Sequence, residues 1–386
     1  MTDARSSPVD WATGRYRELH GSAPAGVWMA PGRVNVIGEH TDYNDGYVLP
    51  FALDRAVYAA AGPRWDGQVV VTSRQLGEER FQLDGLGLTE KRLSYAEAAM
   101  WSAREQGVTL SGANLVIEST IPIGAGLSSS AAFICAAIMA AADLADTSLS
   151  PREIAICAQR AETEGVGVPI GAMDPMASMC SIEGHALLLD CRSMALEQIP
   201  FAASTRDGDS ALAIIDTRTH HRHAGGEYTD RRETCRRAAA ALGVESLRNV
   251  SLEMLDQKGG VLDPVALRRA RHVVSENLRV TEAVISMRDG DDARLGELMT
   301  GSHQSLATDF EVSTSELDLA VSAAMSAGAF GARLTGGGFG GCALAIAPAR
   351  QIRDIESAIR SAFARNGFAE PAFLPGVSSS GAARVA

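Results

Sequence analysis

The sequence predicts an α+β protein of two domains. Its 386 residues are long for a single hydrophobic core. Segments with β-branched content and segments with helical patterns occur in both halves of the chain. A weakly patterned stretch at 194–208 separates the halves. We therefore place a domain boundary near residue 205, giving domains at 1–205 and 206–386.

The clearest helix start of the first domain is at Ser150. This serine is followed by Pro151 at the first helical position and Glu153 at the third, which together form a capping box. We expect that helix to run to about Glu164 and to end at Gly165. The other predicted elements of this domain are strands at 68–73, 115–123 and 185–190, and an alanine-rich helix ending at 142.

The second domain is predicted to open with a strand and to continue mainly as helices. Its predicted strands are 211–216, 331–335, 342–347 and one near Ala372, and its predicted helices are 227–241, 264–287, 291–305, 315–327 and 352–364.

Composition and charge exclude several classes of protein. The formal net charge of −12 does not fit a basic nucleic-acid surface or a membrane-surface role. The longest apolar run, 131–142, is shorter than the ~20 residues of a bilayer span. The N-terminus has no apolar segment of the signal-peptide type. Six cysteines without CxxC spacing indicate reduced residues of a cytoplasmic protein.

A glycine–serine loop joins a predicted strand to the alanine-rich helix. Residues 121–132 read IPIGAGLSSSAA, with glycines that let the backbone approach a ligand and serines where the first helical N–H groups lack partners. A phosphate at this point would meet free amides and the positive end of the helix dipole. A serine-capped helix after a glycine turn is the alternative. The loop is not a Walker A motif, because no lysine lies between Lys91 and Lys258.

A second glycine-rich stretch satisfies GxGxxG through Gly336, Gly338 and Gly341. A dinucleotide-binding fold requires a helix after this motif, whereas residues 342–347 have the pattern of a strand. We therefore reject a Rossmann domain, which disfavours a nicotinamide dehydrogenase as an alternative, and interpret the stretch as a close-packed or ligand-facing turn.

Polar side chains concentrate at 31–46, between apolar segments. Arg33, Glu39, His40 and Asp42 offer the donors and acceptors that a polyhydroxylated ligand requires. The alternative is a solvated loop with Asx turns at 44–46.

Three acidic residues are candidates for chemistry. Asp174 precedes a proline, so it either starts a helix or orients the proton of an attacking hydroxyl. Glu162 and Glu164 fall in the last turn of the Ser150 helix, where carboxylates oppose the helix dipole. A bound cation would reverse that penalty, which makes Glu162 a candidate Mg²⁺ ligand; a solvated helix end is the alternative.

A histidine group at His220, His221 and His223 also invites a metal interpretation. Its spacing fits no closed zinc pattern, and neither cysteines nor carboxylates accompany it. We interpret it as a surface or loop group.

Together these segments resemble the galactokinases, within the GHMP kinase superfamily that also holds homoserine, mevalonate and phosphomevalonate kinases. Residues 32–50, GRVNVIGEHTDYNDGYVLP, resemble the galactokinase signature. Residues 124–132, GAGLSSSAA, are similar to the superfamily's phosphate loop, and 331–341, GARLTGGGFGG, to its third motif. Weaker matches lie at 226–228 and 310–313.

The resemblance implies an N-terminal domain like domain 2 of ribosomal protein S5 and a ferredoxin-like C-terminal domain. It implies transfer of the γ-phosphoryl group of ATP to the anomeric hydroxyl of galactose by a monomeric enzyme with Mg²⁺, and no nucleic-acid or membrane partner. Kinases for arabinose or N-acetylgalactosamine, and a sensor that binds ATP and galactose without turnover, are the alternatives.

The resemblance also assigns roles to residues. Asp174 would be the catalytic aspartate and Arg33 the cation facing the transferred group. The implied sugar contacts are Glu39, His40, Thr41, Asp42, Gly171 and Tyr228; the implied ATP contacts are Ser73, Gly124, Ala125, Gly126, Leu127, Ser128, Ser129 and Ser130; the implied metal ligands are Ser130 and Glu162. The chain departs from the family pattern at Pro175, where glutamine is expected, at Ala307, where arginine is expected, and at Phe310, which replaces a tyrosine.

Overall fold

The computed structural model describes residues 6–88, 92–220 and 224–386 and confirms the α+β class. His221 and His223 lie outside the described residues, as does the side chain of His220. The helices are α1 Pro8–His20, α2 Tyr95–Glu105, α3 Ser129–Leu144, α4 Pro151–Arg160, α5 Met173–Cys180, α6 Ala224–Ala241, α7 Leu252–Lys258, α8 Pro264–Asp289, α9 Asp292–Thr308, α10 Ser315–Ser326 and α11 Ile352–Asn366. The strands are β1 Gly26–Asn35, β2 Tyr47–Val48, β3 Pro50–Pro63, β4 Gln68–Ser73, β5 Gly77–Gln82, β6 Ala113–Ser119, β7 His185–Asp190, β8 Ala195–Pro200, β9 Ser210–His220, β10 Gly331–Thr335, β11 Gly340–Pro348, β12 Ala372–Pro375 and β13 Ala383–Arg384.

The strands form three sheets within the described residues. The largest has the order β13-β1-β3-β6-β4-β5, with β4 and β6 parallel. The second has the order β10-β11-β9-β12, and the third the order β2-β7-β8. Strand β13 pairs with β1 through Trp28 opposite Arg384, so the end of the chain returns to the first sheet. The boundary near residue 205 falls between β8 and β9 and stays a prediction.

The two principal hydrophobic cores adjoin at the second sheet. Strand β9 places Leu212 and Ile214 in the first core and Ile215 in the second. This alternation follows from the two-residue period of a strand, whose successive side chains point to opposite faces. Helices α3 and α5 pack against β1 and β3 in the first core, and α4 packs against α3 and α5, which holds β1 and α3 beside each other.

Most predicted elements are confirmed to within a few residues, and two boundaries are wrong. The Ser150 capping box is present, but α4 ends at Arg160 and continues as a π-helical turn, Ala161–Val166, which ends at Gly167 rather than Gly165. Gly167 takes a left-handed φ of 78°, a conformation that favours glycine at a helix end. The strand predicted at 115–123 ends at Ser119, because the chain turns there toward the glycine loop.

The cysteines agree with the expectation of reduced thiols. All six cysteines are free thiols, and four of them are buried. Within the described part of the chain, no helix is long and apolar enough to cross a membrane.

Helix α9 lies so close to β10 that one of its glycines has no room for a side chain. A Cβ on Gly296 would lie 2.4 Å from the Phe330 carbonyl carbon, whereas a Cβ on Gly301 would approach nothing closer than the Arg279 Cδ at 3.9 Å. We predict that Gly296→Ala lowers the free energy of unfolding by about 1–3 kcal/mol, as overpacking typically does. Denaturant unfolding measures this change.

The control is Gly301→Ala on the same helix. It should be neutral or should raise stability by up to ~1 kcal/mol, since alanine favours a helix over glycine. Equal effects of the two substitutions would contradict the close approach.

Candidate active site

Strand β1 and helix α5 bring Arg33 and Asp174 together at the base of a cleft. Arg33 donates from Nε to Asp174 Oδ1 at 2.8 Å and from Nη2 to Oδ2 at 2.9 Å. Its Nη1 donates to the Gly126 carbonyl at 2.8 Å. Ser128 Oγ donates to the same Asp174 carboxylate. Asp174 therefore does not cap α5, whose N-cap Ala172 lacks a side-chain cap, and the alternative that it only starts a helix is wrong.

The glycine–serine loop lies directly against β1. A Cβ on Gly32 would lie 2.6 Å from the Leu127 carbonyl oxygen, and the Arg33 N–H donates to that oxygen at 3.2 Å. Gly124 and Gly126 both take a left-handed φ, at 76° and 74°. Helix α3 then begins at Ser129 without a side-chain cap. The alternative of a serine-capped helix is therefore wrong, and the first amides of α3 remain available to an anion.

The second glycine-rich stretch supports this loop from the other domain. It is the turn between β10 and β11, which confirms that a strand follows it. Gly341 lies beside Ala125, with 3.4 Å between its Cβ position and the Ala125 carbonyl oxygen, and Cys342 Sγ donates to that oxygen at 3.0 Å. The turn therefore acts as a close-packed support for the loop backbone.

A cavity of about 570 Å³ opens on one side of the loop. Ser73, Ser129 and Ser130 line it, so three of the predicted ATP contacts share one space. Its apolar walls include Tyr95 and Phe133, which the sequence analysis did not assign. A largely apolar cavity with serine hydroxyls in its lining suits a flat aromatic base joined to phosphates.

Glu162 and Glu164, two residues apart in the π-helical turn, have different surroundings. Glu162 is 2% exposed and its carboxylate contacts the Ser130 hydroxyl, while its Oε2 atom lacks a hydrogen-bond partner. Burial raises the pKa of Glu162 to about 7. Glu164 is solvent-exposed and pairs with Arg160. The structure thus separates one buried carboxylate with spare coordination capacity from a surface ion pair.

A smaller cavity, about 180 Å³, contains Arg33 and Asp174 in its lining. Asp42 and Gly171 meet in its wall: a Cβ on Gly171 would lie 1.9 Å from Asp42 Oδ2. Burial, together with the neighbouring Asp174 carboxylate, raises the pKa of Asp42 to about 6. The cavity is lined by Arg33, Glu39, His40, Asp42, Ile170, Gly171, Met173, Asp174, Tyr228, Gly336 and Gly337.

Aromatic rings form one side of this cavity. The His40 ring lies 5.6 Å from the Tyr228 ring and 4.6 Å from the Phe310 ring, and its Nδ1 bonds to the Tyr43 hydroxyl at 2.8 Å. Burial lowers the pKa of His40 to about 3, so the imidazole is neutral at physiological pH. This side of the cavity therefore combines the apolar faces of aromatic rings with the neutral imidazole of His40.

The polar segment, residues 38–47, is tied to β10 by charge. Glu39 accepts from the Gly336 N–H at 2.9 Å and forms an ion pair with Arg333, whose side chain is fully buried. Arg333 lies in a quoted motif, yet the sequence analysis gave it no role. A single arginine inside an otherwise apolar strand was the signal that could have identified it.

Thr41 is placed differently from its neighbours. It is not among the residues that line the small cavity, and its hydroxyl oxygen lies 2.7 and 2.6 Å from the Gly38 and Tyr47 carbonyl oxygens, which share its single proton. These bonds close the loop of the polar segment, and a sugar contact by Thr41 stays a prediction.

Three family descriptions match the chain. "GHMP kinases N terminal domain" matches residues 94–181, and "GHMP kinases C terminal" matches 282–365. The mevalonate kinase of Methanococcus jannaschii superposes with a TM-score of 0.66 at 16% identity over 93% of this chain and 98% of that one, a likeness of fold. The fold and both domains are thus those of a GHMP kinase, as predicted.

Further matches identify the family within the GHMP kinases to which the chain belongs. "Galactokinase galactose-binding signature" matches residues 14–63. The galactokinase of Streptomyces coelicolor is 43% identical over 96% of this chain and 97% of its own length, and that of Mycobacterium tuberculosis is 42% identical over 92% and 98%. A Lactococcus lactis galactokinase structure, complexed with galactose, superposes with a TM-score of 0.92 at 30% identity, covering 97% and 98%. The chain belongs to the galactokinase family, whose members are ATP-dependent sugar kinases.

The raised pKa of Asp42 predicts how stability changes with pH. With a pKa of about 6, folded Asp42 holds a proton between about pH 4 and 6 that the unfolded chain releases, so its contribution to stability falls as pH rises through this window. Asp42→Asn cannot ionise, so we expect a flatter pH profile and greater stability than the parent near pH 7.5. Urea unfolding across about pH 4.5–7.5 measures both.

Asp45→Asn in the same segment is the control, because the Asp45 side chain is 46% exposed and lies near Arg192. If Asp42→Asn keeps the parent's pH slope, the carboxyl is not protonated in the folded protein.

Proposed function

We propose that this protein transfers the γ-phosphoryl group of ATP to the anomeric hydroxyl of galactose. The observation that carries the proposal is the hydrogen bond from Ser128 in the glycine–serine loop to Asp174 in the small cavity. The Ser128 hydroxyl thereby connects the glycine–serine loop, which suits a phosphate, with the Asp174 carboxylate, which suits the hydroxyl group of a sugar. Membership of the galactokinase family supports the same reaction.

On the phosphate side, the amides at the start of α3 and the serine hydroxyls receive the triphosphate. Phosphoryl transfer asks the protein mainly for position and charge. Arg33 uses three of its five N–H donors on Asp174 and Gly126, which fixes the guanidinium plane. Its two remaining N–H groups are available to the charge that develops between the loop and the small cavity.

On the sugar side, Asp174 accepts or orients the proton of the attacking hydroxyl. Three donor groups from Arg33 and Ser128 hold its carboxylate in one orientation, which favours a hydroxyl approaching in line with the phosphate. Glu39, His40 and Asp42 supply polar groups for the other hydroxyls, with Tyr228 as the apolar wall. A cavity of about 180 Å³ suits a monosaccharide rather than a larger ligand.

A divalent metal follows from ATP dependence, and we propose Mg²⁺ held by Ser130 and Glu162. The buried Oε2 atom of Glu162, which has no hydrogen-bond partner, fits an oxygen-preferring cation. Among the described residues no group of three or more histidine, cysteine or acidic side chains is placed to hold a metal. One carboxylate with phosphate oxygens and water is a usual Mg²⁺ environment. When bound, Mg²⁺ supplies positive charge against the triphosphate.

A sugar panel distinguishes galactose from the closest competing substrates. ATP consumption should be fastest with galactose and slower with arabinose or N-acetylgalactosamine. Tight binding of galactose and ATP without turnover would instead identify a sensor. We also propose a cytoplasmic monomer; the free thiols support the compartment, and light scattering tests the oligomeric state.

Loss of the Asp174 carboxylate should slow turnover. We predict that Asp174→Asn lowers kcat by about 10²–10⁴-fold, the usual contribution of a positioned base. Steady-state kinetics with galactose and ATP measure this, and Asp256→Asn on exposed α7 serves as control. Activity of the Asp174 variant within about tenfold of the parent would refute the assignment.

The two neighbouring glutamates provide a matched test of the metal site. Glu162→Gln should raise the Mg²⁺ concentration for half-maximal activity by roughly tenfold or more, because a ligand oxygen loses its charge. Glu164→Gln removes only an exposed ion pair, so its Mg²⁺ dependence should match the parent's. Mg²⁺ titration of initial rates separates the two, and equal shifts would contradict the assignment of Glu162.

A further inference from the structure

Helix α8 holds the main chain of the polar segment with three side chains. His272 Nε2 bonds to the Glu39 carbonyl at 3.1 Å. Glu276 Oε1 accepts from the Gly38 N–H at 2.9 Å, and Asn277 Oδ1 accepts from the Tyr47 N–H at 2.8 Å. Since residues 272, 276 and 277 share one face of a helix, a single rigid element contacts the segment near both ends.

These side chains are buried and form further bonds that fix them. His272 and Glu276 are fully buried and Asn277 is 8% exposed. The Ser305 hydroxyl lies 3.0 Å from His272 Nδ1, and the Ser302 hydroxyl donates to Glu276 at 2.6 Å. Three buried polar side chains on one helix face cost free energy unless all are hydrogen-bonded, so their bonds to the polar segment are a specific feature of this packing.

The segment they hold has a backbone that needs support. His40 takes a left-handed φ of 63°, which costs a non-glycine residue roughly 1–2 kcal/mol. In this conformation the His40 imidazole lines the small cavity. His40 directly follows Glu39, whose carbonyl His272 binds. Strained residues persist where their surroundings over-determine them.

We propose that His272, Glu276 and Asn277 are positioning residues that set galactose affinity by fixing the backbone of the polar segment. The inference rests on the proposed function. The three residues lie outside the ranges of all three family descriptions, 14–63, 94–181 and 282–365. They act through Glu39 and His40 rather than by touching the sugar, since none of them lines the small cavity.

The hydrogen bond that His272 donates allows its positioning role to be tested apart from its role in packing. A carbonyl oxygen can only accept, so Nε2 of His272 carries the proton and donates it to Glu39. Burial lowers the pKa of His272 to about 4, so the ring is neutral in ordinary assay buffers. Glutamine places its terminal amide near the position of Nε2, whereas asparagine places its amide near Nδ1.

The test compares His272→Gln with His272→Asn. The glutamine variant keeps a donor for the Glu39 carbonyl, so we expect a galactose KM within about threefold of the parent. The asparagine variant loses that donor, and we expect its galactose KM to rise by about tenfold or more, as misplacement of a positioning group does. The ATP KM should stay within about twofold, because no residue of the polar segment lines the larger cavity.

Ser286→Ala is the control on the same helix, since Ser286 is buried and its hydroxyl, among the described residues, donates to the Glu282 carbonyl of α8. It should leave both KM values unchanged. If His272→Asn does not fold, Asn277→Val, which removes the acceptor for Tyr47, should raise the galactose KM in the same way.

A folded asparagine or valine variant with an unchanged galactose KM would overturn the inference, as would equal rises in the galactose and ATP KM values. A parent protein that does not phosphorylate galactose would instead overturn the proposed function, so the two failures are distinguishable.

Discussion

The bidentate pair between Arg33 and Asp174 is the interaction on which the site depends. It joins β1 to α5, and through Gly126 and Ser128 it also fixes the glycine–serine loop. A charge-assisted fork of this kind restricts both partners to one plane. Arg33 and Asp174 line the small cavity, and the loop that they hold continues into Ser129 and Ser130, which line the larger cavity.

A second charged group binds the two halves of the chain together. Arg333 of β10 is fully buried, pairs with Glu39 and lies 3.9 Å from Glu276. Buried ions are costly to leave unpaired, by about 3–5 kcal/mol when one partner is lost. The three charged residues come from β10, α8 and the polar segment. The second half of the chain therefore helps to determine the shape of the small cavity, although the galactokinase signature lies in the first half.

Short sequence patterns predicted individual helices and strands, but contacts between residues far apart in the sequence left no pattern that could be recognised. The Ser150 capping box and the strand at 331–335 were predictable because their residues are neighbours in sequence. Strands β1 and β3 were not predicted, since both are buried along most of their length and lack a two-residue alternation. The contact of Asp174 with Arg33 joins residues 141 positions apart, so no local pattern in the sequence could predict that these two side chains pair. Likewise, no pattern distinguished Glu162 from Glu164, because the π-helical turn decides which carboxylate is buried.

We propose that the junction of Arg33, Asp174 and the glycine–serine loop serves both substrates. A crystal structure with galactose, Mg²⁺ and a non-hydrolysable ATP analogue is the decisive test. We expect the anomeric oxygen within hydrogen-bonding distance of Asp174 and the γ-phosphate against residues 124–130, with Arg33 between them. A sugar bound away from Asp174, or a triphosphate that does not touch the glycine–serine loop, would contradict it.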